Sequence, residues 1–141
     1  MSTLDSLIRV NRWKLDERRR QLGELERLSE RLGSEAIRLQ QELASEQQVA
    51  SASLEAGYAY AGYARDLIAR REKLSASISE VQGQLTVARE ALAESFGEVK
   101  RYEIAAANRT KRDRLAVERR QRISQDEVAL QVYRRRNDAR R

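Results

Sequence analysis

The side chains of this sequence that could do chemistry are few in kind: 28 Lys and Arg, 22 Asp and Glu, five Tyr and one Trp, with no His and no Cys. Imidazole and thiolate chemistry is therefore excluded, and with it the nucleophile–base pairs and the nitrogen or sulfur metal sites built from those groups. Carboxylates could still act as acid and base, but that work needs two of them gathered in a pocket that shifts their pKa values. Here they are spread along the chain, and no phosphate-binding loop or glycine signature follows a strand pattern. The sequence predicts no catalytic residue, no cofactor and no metal.

What remains is the chemistry of recognition. Trp13, the only tryptophan, stands in RVNRWKLDERRR among six basic side chains. Trp and Arg are the residue types most enriched where binding energy concentrates. Arg18, Arg19 and Arg20 follow directly, Val10 precedes, and three tyrosines, Tyr58, Tyr60 and Tyr63, cluster in YAYAGYA at mid-chain.

The elements that hold these residues are legible from composition and period. The 141 residues contain no proline, 35% are charged and 5% are aromatic, a profile typical of long helices and unlike that of a globular core. With Ile8 as an a position, alternating steps of three and four reach Asn11, Leu15, Arg18, Leu22, Leu25, Ser29, Leu32, Ala36, Leu39, Leu43, Glu46 and Ala50, nine of the thirteen being apolar. A second run passes through Leu74, Ile78, Val81, Leu85, Ala88, Leu92, Ser95, Val99, Tyr102 and Ala106, where only Ser95 is polar. A seam of period 3.5 keeps facing a partner helix when the two wrap into a left-handed supercoil.

Between the runs, LEAGYAYAGYARDL breaks the pattern and carries Gly57 and Gly62. Glycine is the usual residue where a helix ends in a left-handed turn, so the turn is predicted at 57–60, between a helix over 3–56 and a helix over 61–136 with a frayed basic tail at 137–141. The fold class is all-α, an antiparallel two-helix coiled coil with a C-terminal overhang. A single long helix dimerising in parallel is the alternative. Folding the chain so that paired seam positions add to 117 sets Leu43 beside Leu74, Leu39 beside Ile78, Leu25 beside Leu92 and Glu46 beside Arg71, a compensated polar pair that specifies register.

In that register the second helix outruns an N-terminal arm of roughly 80 Å, and residues beyond about 113 have nothing to pair with. Ile123, Leu130 and Tyr133 then share an exposed face, with Arg134 beside them, and form either a partner site or part of a fraying end. Residues 9–20, 109–122 and 134–141 carry net charges of +4, +5 and +4 within a chain whose total is +6. A hairpin brings these blocks to its open end and steers that end toward an acidic surface. Trp13 falls at the outermost f position and points away from the seam.

Acidic residues interrupt the basic blocks and no basic region runs into a zipper, which argues against nucleic-acid binding. The basic segments lack the broad apolar face of a membrane-surface helix, and no apolar run is long enough to span a bilayer. The sequence reads as cytoplasmic.

The opening DSLIRVNRWKLDERRRQL, the turn YAYAGYA and the segment LTVAREALAESFGEVKRYE resemble the FliJ family of flagellar type III export proteins, over nearly the whole chain. Leu15, Asp16, Glu17 and Arg19 to Gln21 before the leucine seam are the less generic part of the likeness, and Ala61 departs from it where a proline is expected. The resemblance implies a two-helix stalk whose open end enters the ring of the flagellar export ATPase, the end at which Val10, Trp13, Arg18, Arg19, Arg20, Leu130, Tyr133 and Arg134 are expected. It implies that surface toward the turn, at Tyr58, Tyr60 and Tyr63, meets the export-gate membrane protein, and that export chaperones are further partners. An equivalent stalk of a type III injection system and a self-assembling scaffold are the other readings.

Overall fold

In a computed structural model that describes residues 2–140, two helices and no strand are present among the described residues: α1 over Thr3–Ala50 and α2 over Leu54–Ala139. The two long helices pack against each other, as a helical hairpin does. The start of α1 is set by Ser2 and Asp5. The Asp5 amide donates to Ser2 Oγ at 3.2 Å and the Ser2 amide donates back to Asp5 Oδ2 at 3.3 Å, so two backbone donors are satisfied reciprocally. Hydrogen bonds from the Ser2 side chain, and then from its backbone, lower the Asp5 pKa below its ordinary value.

The turn lies at residues 51–53, not at 57–60. Ser51 Oγ donates to the Gln48 carbonyl at 2.7 Å and its amide to the Gln47 carbonyl at 3.3 Å, closing α1. Ser53 then caps α2, its Oγ accepting the Ala56 amide at 3.1 Å, and Glu55 stands in the first turn, where the helix dipole favours a carboxylate. Serine competes for backbone groups and so ends helices without any glycine. Gly57 and Gly62 are interior residues of α2 with helical φ, and no residue in the described chain has positive φ. Ala61 is helical as well, and the helix bounds at 56, 61 and 136 become 50, 54 and 139.

The chain divides into two compact units, one formed by residues 11–97 and the other by the described residues up to Val10 together with those from Glu98 onward. In the first, the predicted α1 seam is inward: Leu15 and Leu43 are buried, Leu22, Leu25, Ser29, Leu32, Ala36, Leu39, Glu46 and Ala50 are half-buried, and only Arg18 is exposed. Asn11 is a buried polar residue, and among the described residues no buried side-chain polar atom lacks a hydrogen-bond partner. The α2 seam begins earlier than the sequence pattern indicates. Tyr60, Ala64 and Leu67 continue the 3.5 spacing back toward the turn, and Leu67, at 1% exposure, is the most deeply buried side chain described.

Moving the turn shortens the register. Tyr63 Oη donates to the Glu42 carboxylate, and a Cβ on Gly57 would meet the Ala50 carbonyl at 3.7 Å; pairs adding to 117 would hold both couples well apart. The positions in these contacts add to 105 and 107, well short of 117, so the helices meet in a shorter register than the sequence pattern indicates. Leu25 and Leu92 are both half-buried, and Glu46 and Arg71 form no ion pair. Glu46 is half-buried while Arg71 is exposed. The polar pair fails because a seven-residue slip exchanges one apolar layer for another at little cost, whereas the serine caps and the Tyr63–Glu42 bond act at fixed positions.

In the other unit, the apolar side chains that lose exposure are Leu4 and Ile8 of α1 and Val99, Tyr102 and Ala106 of α2, and Glu98 and Glu103 are half-buried as well. Burial stops at Ala106, and every described residue from 107 to 140 is exposed. The unpaired part of α2 therefore begins about seven residues before the expected position, as the shorter register requires.

Candidate partner-binding surfaces

The predicted binding residues fall on three stretches. On α1 in the unit of residues 11–97, Trp13 is 65% exposed, as an f position demands. Arg18, Arg19 and Arg20 are exposed, but two of them are matched locally: Arg19 lies 3.6 Å from Asp16 and Arg20 lies 2.6 Å from Glu17, both one helical turn back. Arg18 donates to Gln21 at 3.4 Å. Such exposed pairs add between 0 and about 1 kcal/mol to stability, and they leave the guanidinium groups available to an anionic partner. Val10, on the other unit, is half exposed.

The second stretch is the unpaired part of α2. Leu130 and Tyr133 are 54% and 63% exposed, Arg134 is exposed beside them, and Ile123 precedes Leu130 by seven residues. Positions i, i+7 and i+10 share one helical face, so these three form an apolar strip, with Asp126 and Glu127 inside its span and arginines at 119, 120, 122 and 134–136 flanking it. Nothing in residues 2–10 covers it, because burial there ends at Ala106.

The third stretch surrounds the turn, and here the three tyrosines separate. Tyr60 is a half-buried seam residue, and Tyr63 bridges to Glu42, which raises its pKa above the ordinary value, first through that hydrogen bond and then through desolvation. Only Tyr58 is free to meet a partner, at 78% exposure. Two residues that sequence reasoning missed join it: Leu54, 80% exposed and one helical turn before Tyr58, and Val49, 58% exposed at the end of α1. The signal for them was the Ser-Ala-Ser sequence that interrupts the helix between Val49 and Leu54.

Beside the seam of residues 11–97 runs an open groove of about 1840 Å³, with Leu25, Leu28, Val87 and Ala88 on its floor and arginines and glutamates in equal number along its walls. Among the described residues no group of acidic side chains is placed to hold a metal, and no helix is long and apolar enough to cross a membrane. No family model, curated protein or solved structure matches the chain.

Proposed function

We propose that the chain is a non-enzymatic stalk and adaptor of the flagellar type III export apparatus, cytoplasmic and held at the inner face of the membrane through its partners. One end engages the export ATPase and the other the export-gate protein, with export chaperones as further partners. The observation that carries the reading is the exposed basic part of α2, which continues for more than thirty residues after its pairing with α1 has ended and keeps an apolar strip at Ile123, Leu130 and Tyr133. A helix that stays long, charged and partly apolar without a partner in its own chain is suited to insertion into another protein. The resemblance of the opening segment and of LTVAREALAESFGEVKRYE to the FliJ family supplies the identity of that protein. The internal turn at 51–53 weighs against a scaffold in which one uninterrupted helix dimerises in parallel.

The test is association of the purified chain with a flagellar export ATPase, read by titration. Trp13→Ala is expected to weaken it by about 1–3 kcal/mol with helicity unchanged, since the indole is exposed and makes no seam contact. Reversal of Arg18, Arg19 and Arg20 to glutamate is expected to slow association and to flatten its salt dependence. Leu54 and Tyr58 are the residues to replace when gate binding is tested, because Tyr60 and Tyr63 are engaged within the hairpin. ATPase binding that depends on Leu54 and Tyr58 and ignores Trp13 and the arginines would refute this arrangement of ends.

A further inference from the structure

The seam face of α2 continues after burial stops at Ala106. Tyr102 is half-buried, and the same 3.5-residue line runs on through Ala116, Ile123 and Leu130, which lie two, three and four heptads after it and are all exposed. Charged side chains alternate with these apolar ones. Arg119 and Arg120 stand four and three residues before Ile123, Asp126 and Glu127 stand between Ile123 and Leu130, and Tyr133 and Arg134 follow Leu130 by three and four. From 119 to 134 the order along the face is therefore basic, apolar, acidic, apolar, basic, over about 22 Å of helix. None of Arg119, Arg120, Asp126, Glu127 and Arg134 is held in an ion pair by another described side chain.

We infer that a partner helix takes over from α1 on this face and carries the complementary order: carboxylates toward both ends, and a lysine or arginine between two apolar turns at the centre. The inference rests on the export function proposed above and adds the chemistry by which the ATPase recognises the strip. Period selects a helix, because a 3.5-residue line stays in contact over several turns only with another helix wound around it. Charge selects its pattern. A uniformly acidic surface would set like charge against Asp126 and Glu127, and a purely apolar groove would desolvate both carboxylates without a partner. A second copy of the strip does not fit either. Two strips overlapping in full, in either direction, oppose one acidic centre to the other.

The experiment measures the affinity of the full chain for a flagellar export ATPase at about 0.15 M salt, with circular dichroism to verify helicity in each variant. Asp126→Asn with Glu127→Gln keeps the side-chain shapes and makes this part of α2 more basic. It is expected to weaken binding about tenfold, because the partner's cation is left facing amides. Glu118→Gln is the control for charge alone, since its side chain lies roughly 120–140° around the helix from Ile123 and Leu130. It is expected to leave the affinity within about twofold of wild type. Ile123→Ser with Leu130→Ser, and Arg119→Gln with Arg134→Gln, are each expected to weaken binding as well, the arginine variant most strongly at low salt. A double variant at 126 and 127 that binds as tightly as wild type or more tightly, as attraction to net positive charge alone requires, would overturn the inference and leave the export function standing. An unchanged affinity of the serine variant would do the same. A wild-type chain that does not bind the ATPase would overturn both.

Discussion

Leu67→Ala is the sharpest test of the fold, because Leu67 lies in a stretch where the heptad pattern reads as broken and yet is the most buried side chain of the hairpin. The substitution removes three carbons, worth about 0.8 kcal/mol each in transfer from water, or about 2.4 kcal/mol in all. A cavity adds to this, but a seam between only two helices is open at its flanks and relaxes more readily than a multilayered core. The expected cost is therefore about 2–3.5 kcal/mol, in the lower half of the range for buried leucines. Urea unfolding followed by circular dichroism reads it as a lower midpoint at unchanged slope. The neighbouring Ile68, 38% exposed and rotated away on the helix, is the control, with an expected loss from Ile68→Ala below about 1 kcal/mol. Equal losses at the two positions would refute the early start of the α2 seam and, with it, the turn at 51–53.

Because the chain contains no cysteine, the pair Leu43→Cys with Leu67→Cys is expected to form an intrachain disulfide on mild oxidation, seen as a mobility shift in non-reducing gels, whereas Leu43→Cys with Leu74→Cys is not. Gly62→Ala is expected to stabilise the chain by about 0.5–1 kcal/mol in the same urea assay, since the glycine is helical and a Cβ there meets nothing within 4 Å; a left-handed turn at this site would give the opposite sign. The Tyr63–Glu42 bond makes stability depend on pH at the alkaline end. A phenol whose folded pKa is raised contributes fully below the unfolded value of about 10 and loses its contribution as pH rises through the higher folded value. The gap in melting temperature between wild type and Tyr63→Phe should therefore be constant from pH 7 to 9 and shrink above pH 10. Asp5 acts at the acidic end with the opposite sign: its lowered pKa gives a contribution that is present above about pH 4 and lost as pH falls through the folded value, so Asp5→Asn should narrow its deficit in melting temperature on acidification.

The sequence by itself determined what depends on near neighbours. Absence of proline, abundant helix formers and a 3.5-residue period dictate two long helices, and they assign each side chain to a face. The α1 seam from Ile8 to Ala50 is inward apart from Arg18, every predicted α2 seam residue from Leu74 to Ala106 loses exposure, and Trp13 points outward. The exposed strip at Leu130 and Tyr133 was legible for the same reason, since a face is a local property of a helix. Where the chain reverses, and which layers meet, were not local. A heptad seam looks the same after a slip of seven residues, so pairs adding to 117 and pairs one heptad shorter offer nearly equal apolar contact. The glycines drew the expected turn to 57–60 because glycine's freedom is visible in sequence, whereas the two serines that end α1 and start α2 acquire that role only when their hydroxyls find backbone partners. Tertiary contact between Tyr63 and Glu42 then ruled out the expected register, and with it the Glu46–Arg71 pair, and it divided the roles of the three tyrosines. Period fixes the face a residue occupies; only the packed hairpin fixes the residue it meets, because the seam's own repeat is blind to its register.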